Sequence, residues 1–170
     1  MNTSPAFDRT ISAFHYDFPM EHIVGALKYQ NKTALAPWLA DRLLEKITSP
    51  AKIDLIIPLP LHPQRLRERG FNQSLEIAHH LAKKMRLSLD TRHCIRVKNT
   101  QPQTTLPWKK RQANVRGAFV CNQDLSGKSI AVVDDVMTTG ATLAEFAKTL
   151  KKRGALRVEN WVIARTLPRS

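Results

Sequence analysis

The sequence predicts an α/β fold: a mainly parallel central sheet flanked by helices, with a small helical amino-terminal appendage. Three observations carry this expectation. Two brief apolar runs, IDLII at 53–57 and SIAVV at 129–133, lack the polar alternation of a half-exposed strand and suit strands buried on both faces of a parallel sheet. Each run is followed by helical periodicity: Leu75, Ala78, Leu81, Ala82 and Met85 share a face between 72 and 86, and Leu143, Ala147 and Leu150 share one after Gly140. Strand, helix and strand in alternation imply parallel strands joined by crossover helices.

In chain order, residues 11–16 read as a short strand, and Asp17 with Pro19 opens a helical pattern carried by Ile23 and Leu27. Thr33 is placed to cap a second helix, with Pro37 in its first turn and Leu35, Leu39, Leu43 and Ile47 at helical spacing. Residues 94–98, 118–121 and 158–164 read as further strands. Lys151, Lys152 and Arg153 crowd the last turn of the helix after Gly140, and Gly154 can end it. At 170 residues, 42% of them apolar, the chain suffices for one domain with its own core. Residues 1–52 read as the appendage, or hood, and 53–170 as the core, packed as one compact unit.

Composition excludes several classes of function. No stretch approaches the ~20 apolar residues of a membrane span, and MNTSPAFDRT lacks the basic and apolar regions of a signal peptide. A cytoplasmic protein without membrane insertion is expected. Cys94 and Cys121 form no CxxC and read as reduced core residues. The six histidines show no metal-ligand spacing. The net charge of +13 is uneven: 0 over residues 1–60, +10 over 61–120 and +3 over 121–170. A basic middle third points to a polyanionic partner, although Phe71, Trp108 and Phe119 are its only aromatic residues and offer few stacking platforms for bases.

The most specific string is AVVDDVMTTGAT, 131–142. Asp134 and Asp135 follow the apolar strand, at the end where open α/β sheets bind ligands. Ionised carboxylates only accept hydrogen bonds, so an adjacent pair can receive the two hydroxyls of a ribose diol. Thr138, Thr139 and Thr142 offer hydroxyls, Gly140 permits close approach, and the following helix presents N–H groups from Ala141 onward: a phosphate site beside a diol site. Two other loops bear on the same edge. In PLPLHPQRLRERGFNQ, Pro58 and Pro60 flank Leu59 and restrict the backbone, while Arg65, Arg67 and Arg69 can meet pyrophosphate oxygens bidentately. In KNTQPQTTLPWKKRQANVRG, a long polar stretch reads as a lid carrying Lys109, Lys110 and Arg111.

AVVDDVMTTGAT matches the phosphoribosyl pyrophosphate (PRPP) signature of type I phosphoribosyltransferases. Taken with LKYQNK near Leu27, PLPLHP, RGFNQ at 69–73, Gln103 with Leu106, and Arg111 followed by NVRGAF at 114–119, it resembles the ComF (competence protein F) family. The resemblance covers most of the chain. It implies a type I phosphoribosyltransferase fold; PRPP, or another phosphoribosyl ligand, as ligand; and a link to DNA uptake in natural competence. Asp134 and Asp135 are then the ribose ligands and, with Arg111, the catalytic candidates. Thr138, Thr139, Gly140, Ala141 and Thr142 take the 5-phosphate, and Pro58, Leu59, Pro60, Arg65, Arg67 and Arg69 the pyrophosphate. Mg²⁺ is expected to arrive with PRPP, without direct protein ligands. Arg65, Arg67, Arg69, Lys109 and Lys110 are the candidates for single-stranded DNA, the uptake machinery is a candidate partner, and a homodimer is compatible with the sequence. Two departures matter. Many ComF-type chains carry a four-cysteine zinc ribbon, but no cysteine precedes Cys94 here, so zinc is not expected. Purine-salvage relatives usually place an Asp at the position of Thr138, and threonine has no comparable basicity, which disfavours purine salvage. A catalyst of phosphoribosyl transfer to an unknown acceptor and a non-catalytic, PRPP-sensing DNA-binding factor are the two functional expectations.

Overall fold

The structure, a computed structural model, describes residues 4–29, 33–48, 52–100 and 113–166. Five strands form one parallel sheet: β1 (Arg9–His15), β2 (Leu55–Pro58), β3 (Ser88–Leu89), β6 (Ser129–Met137) and β7 (Arg157–Arg165), in the order β1-β7-β6-β2-β3. Three helices, α1 (Met20–Tyr29), α2 (Leu35–Leu44) and α4 (Gln73–Met85), pack on one face of the sheet; α5 (Ala141–Lys152) packs on the other.

The apolar runs explain this layering. Successive strand residues point to opposite faces, so Ala131 and Val133 join Ile56, Trp161 and Ile163 in the cluster with Leu27, Leu39 and Leu81. Ile130 and Val132 join Leu55, Ile57, Val158 and Val162 in the cluster with Leu143, Phe146 and Leu150. A strand that must bury both faces has no position for a polar residue, which is why these runs do not alternate. The segment 1–52 set apart in the sequence supplies an edge strand, β1, paired with β7 from Arg9↔Glu159 to His15↔Arg165, and two helices to the same core cluster.

Several local expectations need correction. The strand read as 129–133 runs on to Met137, because β7 continues to pair with it, Asp134 opposite Val162 and Met137 opposite Arg165. α2 has Ala34 at its N-cap, without a side-chain cap bond; Thr33 instead offers its backbone carbonyl to Ala36 N. The stretch after β2, read as an irregular loop, contains α3 (Pro63–Arg69), with Pro63 in its first turn, His62 accepting from Gln64 N, and Gly70 closing it at φ 85°. Strands 94–98 and 118–121 shorten to β4 (Cys94–Arg96) and β5 (Phe119–Cys121), an antiparallel ribbon separate from the main sheet. Its register sets Cys94 opposite Cys121, both buried and free, and burial with the neighbouring thiol pushes the Cys94 thiol up.

The chain leaves β2 through α3 and α4 to reach β3 on one side, and leaves β6 through α5 to reach β7 on the other. Between β2 and β6 the winding reverses, and at such a switch point the carboxyl ends of the strands open a crevice. β2 also stops early. Its last ladder pair is Pro58↔Val133, Leu59 N donates to Val133 O at 2.8 Å, and the chain turns away. From Asp134 onward β6 is therefore paired only with β7, and its other edge faces the crevice.

Candidate functional site

The crevice is lined by Asp134 and Asp135 of β6, the loop from Thr138 to the start of α5, Arg65 and Arg69 of α3, Arg96 of β4, Ser74 of α4 and Lys28 of α1. Acidic and basic residues lie on different elements, so the site is anionic where β6 ends and cationic along α3 and β4.

Both carboxylates are buried, at 7% and 3% exposure. Asp134 Oδ1 accepts from Ser74 Oγ at 3.0 Å and from Asp135 N at 2.8 Å, and Asp135 Oδ1 accepts from Val136 N at 2.7 Å. Lys28 Nζ lies 2.9 Å from Asp135 Oδ2. Burial and the neighbouring Asp135 charge push the Asp134 carboxyl up to about 7, against the smaller opposing pulls of Lys28, Asp135 N–H and Ser74. Burial pulls the Lys28 ammonium down, but the charge and hydrogen bond of Asp135, aided by Asp134, outweigh it and leave it raised.

A carboxyl raised from 3.8 to about 7 binds its proton more tightly in the folded chain. Its contribution to stability is complete below pH 3.8 and is lost as pH rises through 7. The stability of the ligand-free protein relative to its Asp134→Asn variant is expected to fall across that window, measured by urea denaturation at successive pH values. A difference independent of pH would contradict the raised carboxyl.

RGFNQ proves to be the hub that builds the other side. Arg69 Nη1 donates to the buried Gln73 at 2.5 Å and stands 5.5 Å over the Tyr29 ring. Asn72 caps α4 by accepting from Ser74 N at 3.0 Å, while its amide donates to Leu59 O at 3.1 Å and ties the β2 exit to the helix. Ser74 then reaches Asp134. Arg65 donates to Thr100 O at 3.0 Å and Arg96 to Thr100 Oγ1 at 2.5 Å. Burial first and the Arg65 charge second pull the Arg96 guanidinium down, and its Nε is buried without a hydrogen-bond partner. Two guanidiniums held at one threonine without a carboxylate between them make a place for an anion.

The loop after β6 is set by Gly140, which adopts φ 78° as the N-cap of α5. A Cβ there would lie 2.6 Å from Met137 Cε. Thr139 Oγ1 accepts from Ala141 N at 3.2 Å, Thr138 O accepts from Thr166 Oγ1 at 2.9 Å, and the first bond within the helix is Ala144 N to Gly140 O. The earlier residues of α5 line the crevice, where the helix dipole favours an anion. Replacing Gly140 by Ala should cost about 1–2 kcal/mol for the left-handed backbone, with the flexible end of Met137 shifting to make room, and should weaken phosphate binding. Unchanged denaturation midpoints would contradict that conformational requirement.

The domain model described as phosphoribosyl transferase domain matches residues 72–167. Competence protein F of Haemophilus influenzae is 33% identical over 175 residues, covering 97% of this chain and 76% of that protein. The DNA utilization protein YhgH of Salmonella typhi is 33% identical over 169 residues, covering 96% of this chain and 74% of that one. The chain belongs to the ComF family, within the phosphoribosyl transferase domain family. A solved structure described as the allosteric regulatory enzyme of purine biosynthesis matches with a TM-score of 0.50 at 17% identity, covering 76% of this chain and 25% of that one, a likeness of fold; the phosphoribosyltransferase fold itself rests on the domain match.

Against that family pattern, the residues expected from sequence divide clearly. Asp134, Asp135, Thr138, Thr139, Gly140, Ala141, Thr142, Leu59, Arg65 and Arg69 line the same crevice. Pro58 is buried as the last residue of β2, and Pro60 does not line the crevice. Arg67 stands apart: with Arg65 and Arg69 on one helix, i and i+4 share a face and i+2 does not, so Arg67 is exposed and does not line the crevice. Arg111, Lys109 and Lys110, with most of the expected lid, lie outside the described residues. NVRGAF is held structurally, by Lys98 Nζ donating to Arg116 O at 2.7 Å and Gly117 N donating to Glu145 Oε1 at 2.8 Å. Sequence reasoning assigned no role to Lys28, Ser74 or Arg96. The string LKYQNK pointed at the first of these only through resemblance.

Proposed function

We propose that this ComF-family chain binds PRPP in the crevice and displaces its pyrophosphate by an acceptor nucleophile. One observation carries the reading: two adjacent buried carboxylates face three arginines across a crevice closed by a Thr/Gly loop at a helix N-terminus. PRPP has the matching polarity, a hydroxyl pair between a phosphate and a pyrophosphate. Asp134 and Asp135 accept from the ribose diol, residues 138–142 hold the 5-phosphate, and Arg65, Arg69 and Arg96 hold the pyrophosphate. In the reaction the bond from the anomeric carbon to the pyrophosphate oxygen breaks, and its electron pair leaves with pyrophosphate. The acceptor's lone pair forms the new bond. The arginines neutralise the growing negative charge, and the fixed diol orients the anomeric carbon.

No group of three or more His, Cys, Asp or Glu able to hold a metal occurs among the described residues, and the two aspartates are already engaged by Ser74, Lys28 and backbone N–H groups. On this reading the cation arrives on the phosphates of the substrate. Mg²⁺ on PRPP would supply further charge neutralisation at the leaving group. A second cleft shares Lys28, Tyr29, Arg65 and Arg69 with the first and extends past Phe71 and Asn99. No helix among the described residues is long and apolar enough to cross a membrane.

The experiment is a screen of amines and bases with PRPP and Mg²⁺, read by pyrophosphate release. Release dependent on one acceptor, and lost in Asp134→Asn, supports turnover. PRPP binding with no release from any acceptor favours the second reading, a PRPP-sensing factor that binds single-stranded DNA in competence. That reading draws on the +10 charge of residues 61–120 and on the names of the relatives, competence protein F and DNA utilization protein.

A further inference from the structure

The carboxylates that would accept the diol create an electrostatic difficulty that α1 answers. Two adjacent carboxylates at 7% and 3% exposure repel each other where little water can screen them, and such pairs tend to retain a proton. A protonated acid donates where the diol needs an acceptor. The groups facing the pair are Tyr16 after β1, Tyr29 of α1, Arg65 and Arg69 of α3, Arg96 of β4, Ser74 of α4 and the amino-terminal turn of α5. None of the cations among them forms an ion pair with either aspartate. Lys28 does, at 2.9 Å, with its side chain only 22% exposed. It sits in the last turn of α1, anchored from below by Met20, Val24 and Leu27, which are buried in the core, so its ammonium is delivered by helix packing rather than by a free surface chain.

We propose that Lys28 is a positioning residue of the crevice: its ammonium, carried in by α1 to 2.9 Å from Asp135, biases the Asp134–Asp135 pair toward the anionic, hydrogen-bond-accepting form that a sugar diol requires. This rests on the reading of the pair as a diol site, yet its first consequence concerns the ligand-free protein. Removing the ammonium removes the charge that favours ionisation, so the pair should take up its proton at higher pH. Binding of a diol should then weaken at neutral pH and recover as the pH is raised, which loss of a packing contact or of a phosphate contact would not produce.

The test compares wild type with Lys28→Met by aspartate carboxyl ¹³C NMR against pH, without ligand, and then by calorimetry with PRPP and Mg²⁺ from pH 6 to 9. The expected result is a titration midpoint raised by about one pH unit from its wild-type position near 7, hence about fivefold weaker PRPP binding at pH 7, recovering by pH 9. If the midpoint rises but PRPP affinity is indifferent to variant and pH, the role of Lys28 stands and the diol assignment falls. Should Lys28→Met fail to fold, the wild-type Lys28 side-chain resonances must shift as the pair titrates near neutral pH. An unchanged midpoint in the folded variant, or Lys28 resonances flat across that titration, overturns the proposal.

Discussion

Asp134→Asn and Asp135→Asn are each expected to weaken PRPP binding by about tenfold to a hundredfold. Each replaces a charged acceptor by a neutral amide, and hydrogen bonds to charged groups are worth about 1.5–3 kcal/mol. The two variants should differ in stability. The amide oxygen introduced by Asp134→Asn can still accept from Ser74 Oγ and Asp135 N, and the substitution removes one of two repelling charges. Asp135→Asn instead leaves the Lys28 ammonium, which lies 2.9 Å from the carboxylate it loses, without its ion-pair partner, a loss of the kind that destabilises buried pairs strongly. The expected order of melting temperature is therefore Asp134→Asn above Asp135→Asn, with both folded. Calorimetry showing wild-type PRPP affinity in both variants would remove the diol assignment.

The arginines of α3 should separate two ligands. Arg65 and Arg69 line the crevice, whereas Arg67 is exposed on another face. Arg65→Ala and Arg69→Ala should each weaken PRPP about tenfold or more, and Arg67→Ala should leave it unchanged. If four to six basic side chains also hold single-stranded DNA, log affinity should fall against log salt with a slope of roughly −3 to −4, at about −0.7 per contact. Each of the three alanine variants should reduce that slope by about 0.7 where the arginine meets a phosphate. DNA and PRPP should compete, because Arg65 and Arg69 serve both. Fluorescence anisotropy with a labelled oligonucleotide decides: a flat salt response excludes DNA binding, and a steep one indifferent to PRPP moves the DNA to another face.

Much of this was legible because burial on both faces leaves a plain signature. The runs at 53–57 and 129–133, the stripe on α4 and the string from Asp134 to Thr142 each depend on local spacing, and each fell where the fold required. What escaped depends on partners distant in sequence. β6 runs beyond Val133 because β7 still pairs with it, a fact invisible once the apolar residues give way to aspartates. α3 has seven residues, too few for periodicity, and without it the separation of Arg67 from Arg65 and Arg69 was hidden. β4 and β5 have three residues each, and nothing so short reveals whether its partner runs parallel or antiparallel. Lys28, Ser74 and Arg96 come one apiece from α1, α4 and β4. Only the packing of those elements brings them to a common site.

The most direct test of the central claim, that this crevice binds PRPP with its diol on β6, is a crystal structure of the protein with PRPP and Mg²⁺. The expected result places both ribose hydroxyls within hydrogen-bond distance of Asp134 and Asp135, the 5-phosphate in the loop of residues 138–142, and the pyrophosphate against Arg65, Arg69 and Arg96. Ribose hydroxyls turned away from both aspartates, or PRPP bound outside the crevice, would contradict it.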